Sequence, residues 1–105
     1  MRFAVVLSTT PDMRSARRIA RLLLQKKLAA CVSYNAGWTS VFCWKKKLTT
    51  SSEVLLLAKT SFGKLKALQK EILRAHPYEV PEVLALPVAS GSAGYLGWLG
   101  KSLAS

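Results

Sequence analysis

The stretch from Leu28 to Thr60, LAACVSYNAGWTSVFCWKKKLTTSSEVLLLAKT, decides how the rest of the chain folds. It reads as two strand-like runs joined at Lys45-Lys46-Lys47. From Trp38 the alternation is clean. Trp38, Ser40, Phe42 and Trp44 fall on one face, and Thr39, Val41, Cys43 and Lys45 on the other. The return run, Glu53 to Lys59, is apolar on both faces, as a strand covered from both sides would be. An extended arm from Cys31 to Lys45 would reach about 45–50 Å at the usual rise of a strand. A compact domain of this length is only about 33 Å across. The arm therefore bends, with Gly37 as the expected place, or it projects. A projecting arm that carries Trp38, Phe42 and Trp44 is expected to pair with another copy of the chain.

Length and composition narrow the class. The 105 residues make one domain, residues 1–105, and half of them are apolar, which excludes a disordered chain. No apolar run approaches the 18 or so residues that span a bilayer, so no membrane partner is expected. The opening Arg2-Phe3-Ala4-Val5-Val6-Leu7 runs directly into Thr9-Thr10-Pro11-Asp12 and reads as a first strand, not a signal peptide. Two cysteines, Cys31 and Cys43, do not make a disulfide framework. They are read as reduced, half-buried thiols of a cytoplasmic protein. Sixteen Lys and Arg face five Asp and Glu, for a net charge of +11. Between Asp12 and Glu53 there are nine basic residues and no acid. Such a surface attracts polyanions, or simply stays solvated and keeps the protein soluble.

Outward from the hairpin, the pattern is regular. Phe3 to Ser8 is a short strand. Thr10 is expected to cap a helix with Pro11 in its first turn, running to about Lys27. Ala16, Ile19, Ala20, Leu23 and Leu24 form its inner stripe, and Arg14, Arg17, Arg18 and Arg21 its outer face. Thr60-Ser61 caps a second helix, from about Phe62 to Ala75. Phe62, Leu65, Leu68, Ile72 and Leu73 point inward, and Lys64, Lys70, Glu71 and Arg74 outward. His76-Pro77 ends it, because the residue before proline disfavours helix. A loop pinned by Pro77 and Pro81 follows, then a strand from Glu82 to Val88 with Pro87 near an edge or an end. Tyr95 to Leu103 suggests a third helix weakened by Gly94, Gly97 and Gly100. The order is β-α-β-β-α-β plus a C-terminal helix, an α+β split-βαβ pattern.

Four stretches close this pattern: Leu28-Ala29-Ala30-Cys31-Val32, Thr39 to Trp44, Glu53 to Thr60, and His76 to Pro87 (HPYEVPEVLALP). With Leu7 to Asp12 and Tyr95 to Leu99, they resemble the CutA family, the divalent-cation tolerance proteins, over about residues 3 to 103. The resemblance implies a ferredoxin-like subunit and a homotrimer in which the long hairpins join into shared sheets. It implies a likeness in assembly to the trimeric nitrogen-regulatory signal proteins, and involvement in tolerance of copper and other divalent metals. This sequence departs from the family pattern in places. Where some bacterial members carry a cysteine as candidate copper ligand, it has Ser8, a poor ligand for a soft metal. Where they can carry a second histidine before Pro-Tyr, it has Ala75. At the hairpin turn, Lys46 replaces a glycine that tolerates positive φ.

Candidate site residues follow. His76 is the only histidine. It reads either as a helix-terminal residue bonded to the last carbonyls or, joined to Glu79 and Glu82, as a weak Cu(II) site of one imidazole and two carboxylates. Lys59, Trp44 and Tyr78 could build a small anion-binding pocket at a subunit interface. No enzyme is expected. There is no Ser-His-Asp order, no phosphate-cradling glycine loop, and no carboxylate pair other than Glu79 and Glu82. A sequence-specific nucleic-acid binder is disfavoured, because the strand that should carry stacking aromatics reads Val54-Leu55-Leu56-Leu57-Ala58. The ranking is a metal-tolerance trimer first, a small-molecule sensor at interface clefts second, and a polyanion binder third.

Overall fold

A computed structural model describes residues 2–104. It has an α+β, ferredoxin-like fold in the order β1 (Phe3–Thr10), α1 (Met13–Gln25), β2 (Cys31–Trp44), β3 (Lys47–Ser61), a 3-10 turn at Phe62–Lys64, α2 (Leu65–Ala75), β4 (Val83–Pro87) and α3 (Ala93–Ala104). The sheet order is β2-β3-β1-β4, and every neighbouring pair is antiparallel. Pro87 is the last residue of an edge strand, where it removes no ladder bond from a central neighbour.

Strand alternation gives the sheet two unlike faces. Val6, Val54, Leu56 and Ala58 pack with Ala16, Ile19 and Leu23 of α1 and with Leu68 and Ile72 of α2 into the main core. A smaller cluster joins Phe3 and Ala30 to Leu99 and Leu103 of α3. On the opposite face, the register lines up Leu57, Leu7 and Leu84 across three strands, and Lys59, Val5 and Leu86 beside them. Leu84 and Leu86 stand 54% and 49% exposed there. A layered domain buries such a face against something; α3 covers its Phe3 and Lys59 end, and Leu84 and Leu86 are left open.

The hairpin both bends and projects. The β2–β3 register shifts between Asn35 and Trp38, and Gly37 sits there at φ 86, in the left-handed region that favours glycine. Beyond the shift the arm runs on, and the molecule measures 44 × 26 × 23 Å. Trp38, Ser40, Phe42 and Trp44 pair with Glu53, Ser51, Thr49 and Lys47 on one face, as the alternation requires. Trp38 and Trp44 are about half exposed, at 48% and 54%. Cys43 is exposed, not half-buried as expected, because its arm has no layer above it.

The two-residue loop Lys45-Lys46 joins the pair Trp44 and Lys47, with φ of 50 and 65. A type I′ turn needs positive φ at both central residues, and lysine has no local reason to be there. Lys45→Asn with Lys46→Gly is expected to raise stability by about 1–2 kcal/mol. Urea unfolding at fixed chain concentration checks it, as a higher midpoint with an unchanged slope. An unchanged midpoint would show that the lysines carry no strain.

Several local expectations are corrected. The N-cap of α1 is Asp12, whose Oδ1 accepts the Ser15 N–H at 2.7 Å, and that bond holds the Asp12 carboxyl below its ordinary range. Thr10 is instead the buried end of β1. The helix stops at Gln25, not Lys27. The Leu28 N–H reaches the Leu23 carbonyl and the Lys27 N–H the Leu24 carbonyl, with Lys27 at φ 54, a Schellman close. Thr60 does not cap the second helix, because its Oγ1 donates to the Leu28 carbonyl at 2.6 Å. Leu24 and Leu73, expected inside, are exposed. Glu71, expected outside, is buried between Arg74 at 2.6 Å and Lys26 at 3.0 Å. Arg74 first and Lys26 second hold its carboxyl below the usual range. Lys64 also turns inward, donating to the carbonyls of Lys27 and Leu103.

Candidate functional site

The site is built where the end of α2 meets β1 and the arm. His76 closes α2 with its N–H on the Ile72 carbonyl at 2.9 Å, and its backbone is already extended ahead of Pro77. Its ring is buried. Nε2–H donates to the Thr9 carbonyl at 2.6 Å, and Nδ1 accepts the Tyr78 N–H at 3.0 Å. The two bonds fix the tautomer and pin the following loop to β1. The Tyr78 ring lies 4.9 Å from the imidazole, and its hydroxyl donates to Glu53 Oε2 at 3.3 Å. Burial, and then the charge of Glu53, push the Tyr78 phenol above its ordinary pKa.

A cleft of about 740 Å³ opens between this loop and the arm. Phe42, Trp44 and Glu53 line it from the hairpin, and Tyr78, Glu79 and Glu82 from the loop, with Thr9 between them. Four of the six expected site residues therefore meet: Trp44, Tyr78, Glu79 and Glu82. His76 does not line the cleft. It lies beneath the loop with both ring nitrogens engaged, so ligating a metal would require breaking one of those bonds. Lys59 is elsewhere. Its Nζ donates to the Tyr95 hydroxyl at 3.1 Å, a bond that raises its pKa, and it lies 5.3 Å from that ring centre. Eleven residues of β3 separate it from Lys47, about 40 Å of strand. Lys59, Trp44 and Tyr78 thus form no pocket within one chain, and only neighbouring copies could bring them together.

Glu53 was missed by sequence reasoning, which placed it in a strand and gave it no role. The available signal was its isolation, as the only acid between Asp12 and Glu71. With Glu79 and Glu82 it means that three of the five acids of a +11 chain line one cleft.

Among the described residues no three His, Cys, Asp or Glu side chains gather closely enough to hold an ion. Ser8 is buried with no hydrogen-bond partner for its hydroxyl. Strand alternation turns it to the helix side of the sheet, away from Thr9 and the cleft. The oxygens of Glu79 and Glu82 are the exposed donors of the expected set.

The fold and the HPYEVPE loop against a long hairpin define a ferredoxin-like protein of the divalent-ion tolerance class. The model of the CutA1 divalent ion tolerance protein family matches residues 4–102, and the chain belongs to that family. It is 43% identical to the divalent-cation tolerance protein CutA of Thermus thermophilus, over 90% of this chain and 92% of that one. It is 46% identical to that of Yersinia pestis, over 94% and 83%. Among solved structures, CutA1 from Oryza sativa superposes with a TM-score of 0.94 at 40% identity, over 97% of this chain and 94% of that one. CutA from Xylella fastidiosa superposes at 0.93 and 37%, over 96% and 97%. These relatives are named for tolerance of divalent ions, not for an enzyme activity.

Proposed function

We propose that this chain works in the cytoplasm as a homotrimer in divalent-cation tolerance, and that it takes copper(II) weakly at the cleft between the arm and the Tyr78–Glu82 loop. The observation that carries the metal reading is the placement of Glu53, Glu79 and Glu82 on one cleft of a strongly basic molecule. A cation is repelled least there. The affinity order of first-row divalent ions holds for oxygen donors too, so copper is expected ahead of zinc. The exposed leucines of the sheet and the exposed tryptophans of the arm support the trimer. Free Cys31 and Cys43 support a reducing compartment.

Calorimetric titration of Cu(II) at about pH 7.5, where carboxylates are ordinarily ionised, tests the site. Glu79→Gln with Glu82→Gln is expected to weaken binding about tenfold, equivalent to about 1.4 kcal/mol. Equal affinity in parent and variant would remove copper from this cleft.

One observation favours a second reading. A cleft of about 740 Å³ with Phe42, Trp44 and Tyr78 on its walls has the size and lining of a small-molecule site. In that reading the trimer is a sensor resembling the nitrogen-regulatory signal proteins, with Lys59 of a neighbouring copy completing an anion pocket.

A further inference from the structure

A row of four arginines, with Asp12 facing only its Arg14 and Arg18 end, lies on the side of the molecule that the cleft does not use. Along α1, Ala16, Ile19, Ala20 and Leu23 are buried, and the outer side is Arg14, Arg17, Arg18 and Arg21. The four line one shallow groove of about 350 Å³, with Leu22 and Gln25 at its margin. Arg18 donates to the Ala75 carbonyl at 2.8 Å, which ties the ridge to the end of α2. Among the described residues none of the four lies within ion-pair distance of a carboxylate. The nearest acid along the helix, Asp12, is occupied in capping Ser15. The other acid of the helix layer, Glu71, is shared by Lys26 and Arg74. Like charges at three- and four-residue spacing on a helix repel, so the row is held together by the fold against its own electrostatics.

We propose that this arginine ridge binds the phosphate backbone of nucleic acid without reading its sequence. Three features fit that ligand. Arginine offers a planar fork that matches phosphate oxygens two at a time. From Arg14 to Arg21 the helix rises about 10.5 Å. That is about three base-pair steps along the axis of a duplex, so the ridge can meet more than one phosphate. A lipid surface fits less well, because a helix that lies in a membrane interface needs a free apolar face, and the apolar face of α1 is committed to the core. The ridge also lies across the sheet from the leucine-lined face. Ferredoxin-like RNA-binding domains use their sheet face and its aromatics, and that route is closed here by Leu55 and Leu57.

The test is fluorescence anisotropy with a labelled duplex and a labelled single strand, each in two unrelated sequences, across a salt series. Arg14→Gln, Arg17→Gln and Arg21→Gln are combined, leaving Arg18 to hold α2. Lys45→Gln, Lys46→Gln and Lys47→Gln, at the far tip of the hairpin, remove the same charge. Circular dichroism confirms that both variants fold. The arginine variant is expected to bind more than tenfold more weakly at about 50 mM salt, and its log-log salt slope to fall by about 0.9 for each arginine that met a phosphate. The hairpin variant is expected to stay within about twofold of the parent. Equal loss in the two variants would show that net charge alone attracts the polyanion and would overturn the ridge. So would an unchanged arginine variant. Binding of anionic vesicles or inorganic polyphosphate, with none of either nucleic acid, would overturn the choice of ligand.

Discussion

Sedimentation equilibrium at micromolar concentration is expected to give about three times the 11.5 kDa chain mass. The reason is the face formed by Leu57, Leu7 and Leu84 and by Val5 and Leu86, together with an arm whose Trp38 and Trp44 stand about half in water. Fully burying one leucine side chain contributes about 1.5–3 kcal/mol, and a closed ring gains this in every copy. Leu84→Glu with Leu86→Glu is therefore expected to give a single chain mass with helix and strand signals retained. Both residues lie on an edge strand and outside the main core, so the fold can survive their loss. A monomeric parent would end the trimer reading. A trimeric double variant would move the contact away from this face and onto the arm.

The second large effect concerns His76. His76→Ala is expected to cost about 2–4 kcal/mol of stability, measured by urea unfolding at the same chain concentration as the parent. The substitution leaves the Thr9 carbonyl without its ring donor and the Tyr78 N–H without its acceptor. It also frees the loop that carries Glu79 and Glu82. His76→Gln, which can still donate to a carbonyl, is expected to recover part of the loss. A change below about 0.5 kcal/mol in the alanine variant, the range of an ordinary surface substitution, would mean that the ring does not hold the loop. Metal binding in His76→Ala must be read against this loss, because a loosened loop weakens a carboxylate site even where the imidazole was never a ligand.

The hairpin, both long helices and the edge position of Pro87 were legible because each rests on periodicity or on a backbone rule that acts within a few residues. The same locality explains what was missed. Thr10-Pro11-Asp12 offers two capping side chains in one short run, and only the pairing of β1 with β3 as far as Thr10 decides for Asp12. Glu71 and Lys64 read as surface residues until the turn after α1 supplies Lys26 to one and the Lys27 carbonyl to the other. At the site, His76 to Glu82 is contiguous and came through as a unit. Glu53 enters from a strand 25 positions before Tyr78, and no local pattern joins them. Lys59 and Trp44 were grouped as residues of a pocket at a subunit interface. The register puts them near opposite ends of the hairpin.

Strand order has a consequence for the chain as it is made. β1 is made before the other strands of this sheet, yet it is central, and its two neighbours are β3 and β4. Its Ala4 pairs with Thr60 on one side and Pro87 on the other. At synthesis rates of about 5–20 residues per second, Ala4 is made roughly four to seventeen seconds before Pro87 exists. Until β3 is complete Phe-Ala-Val-Val-Leu is an apolar strand with both edges open, and from then until Pro87 one edge stays open, the kind of segment that pairs with the wrong chain. The hairpin can form alone in the meantime, since β2 and β3 follow one another directly. Sheet closure is thus a late event that begins from the C-terminal half, and a nascent chain halted before Val83 holds β1 with one side unpaired.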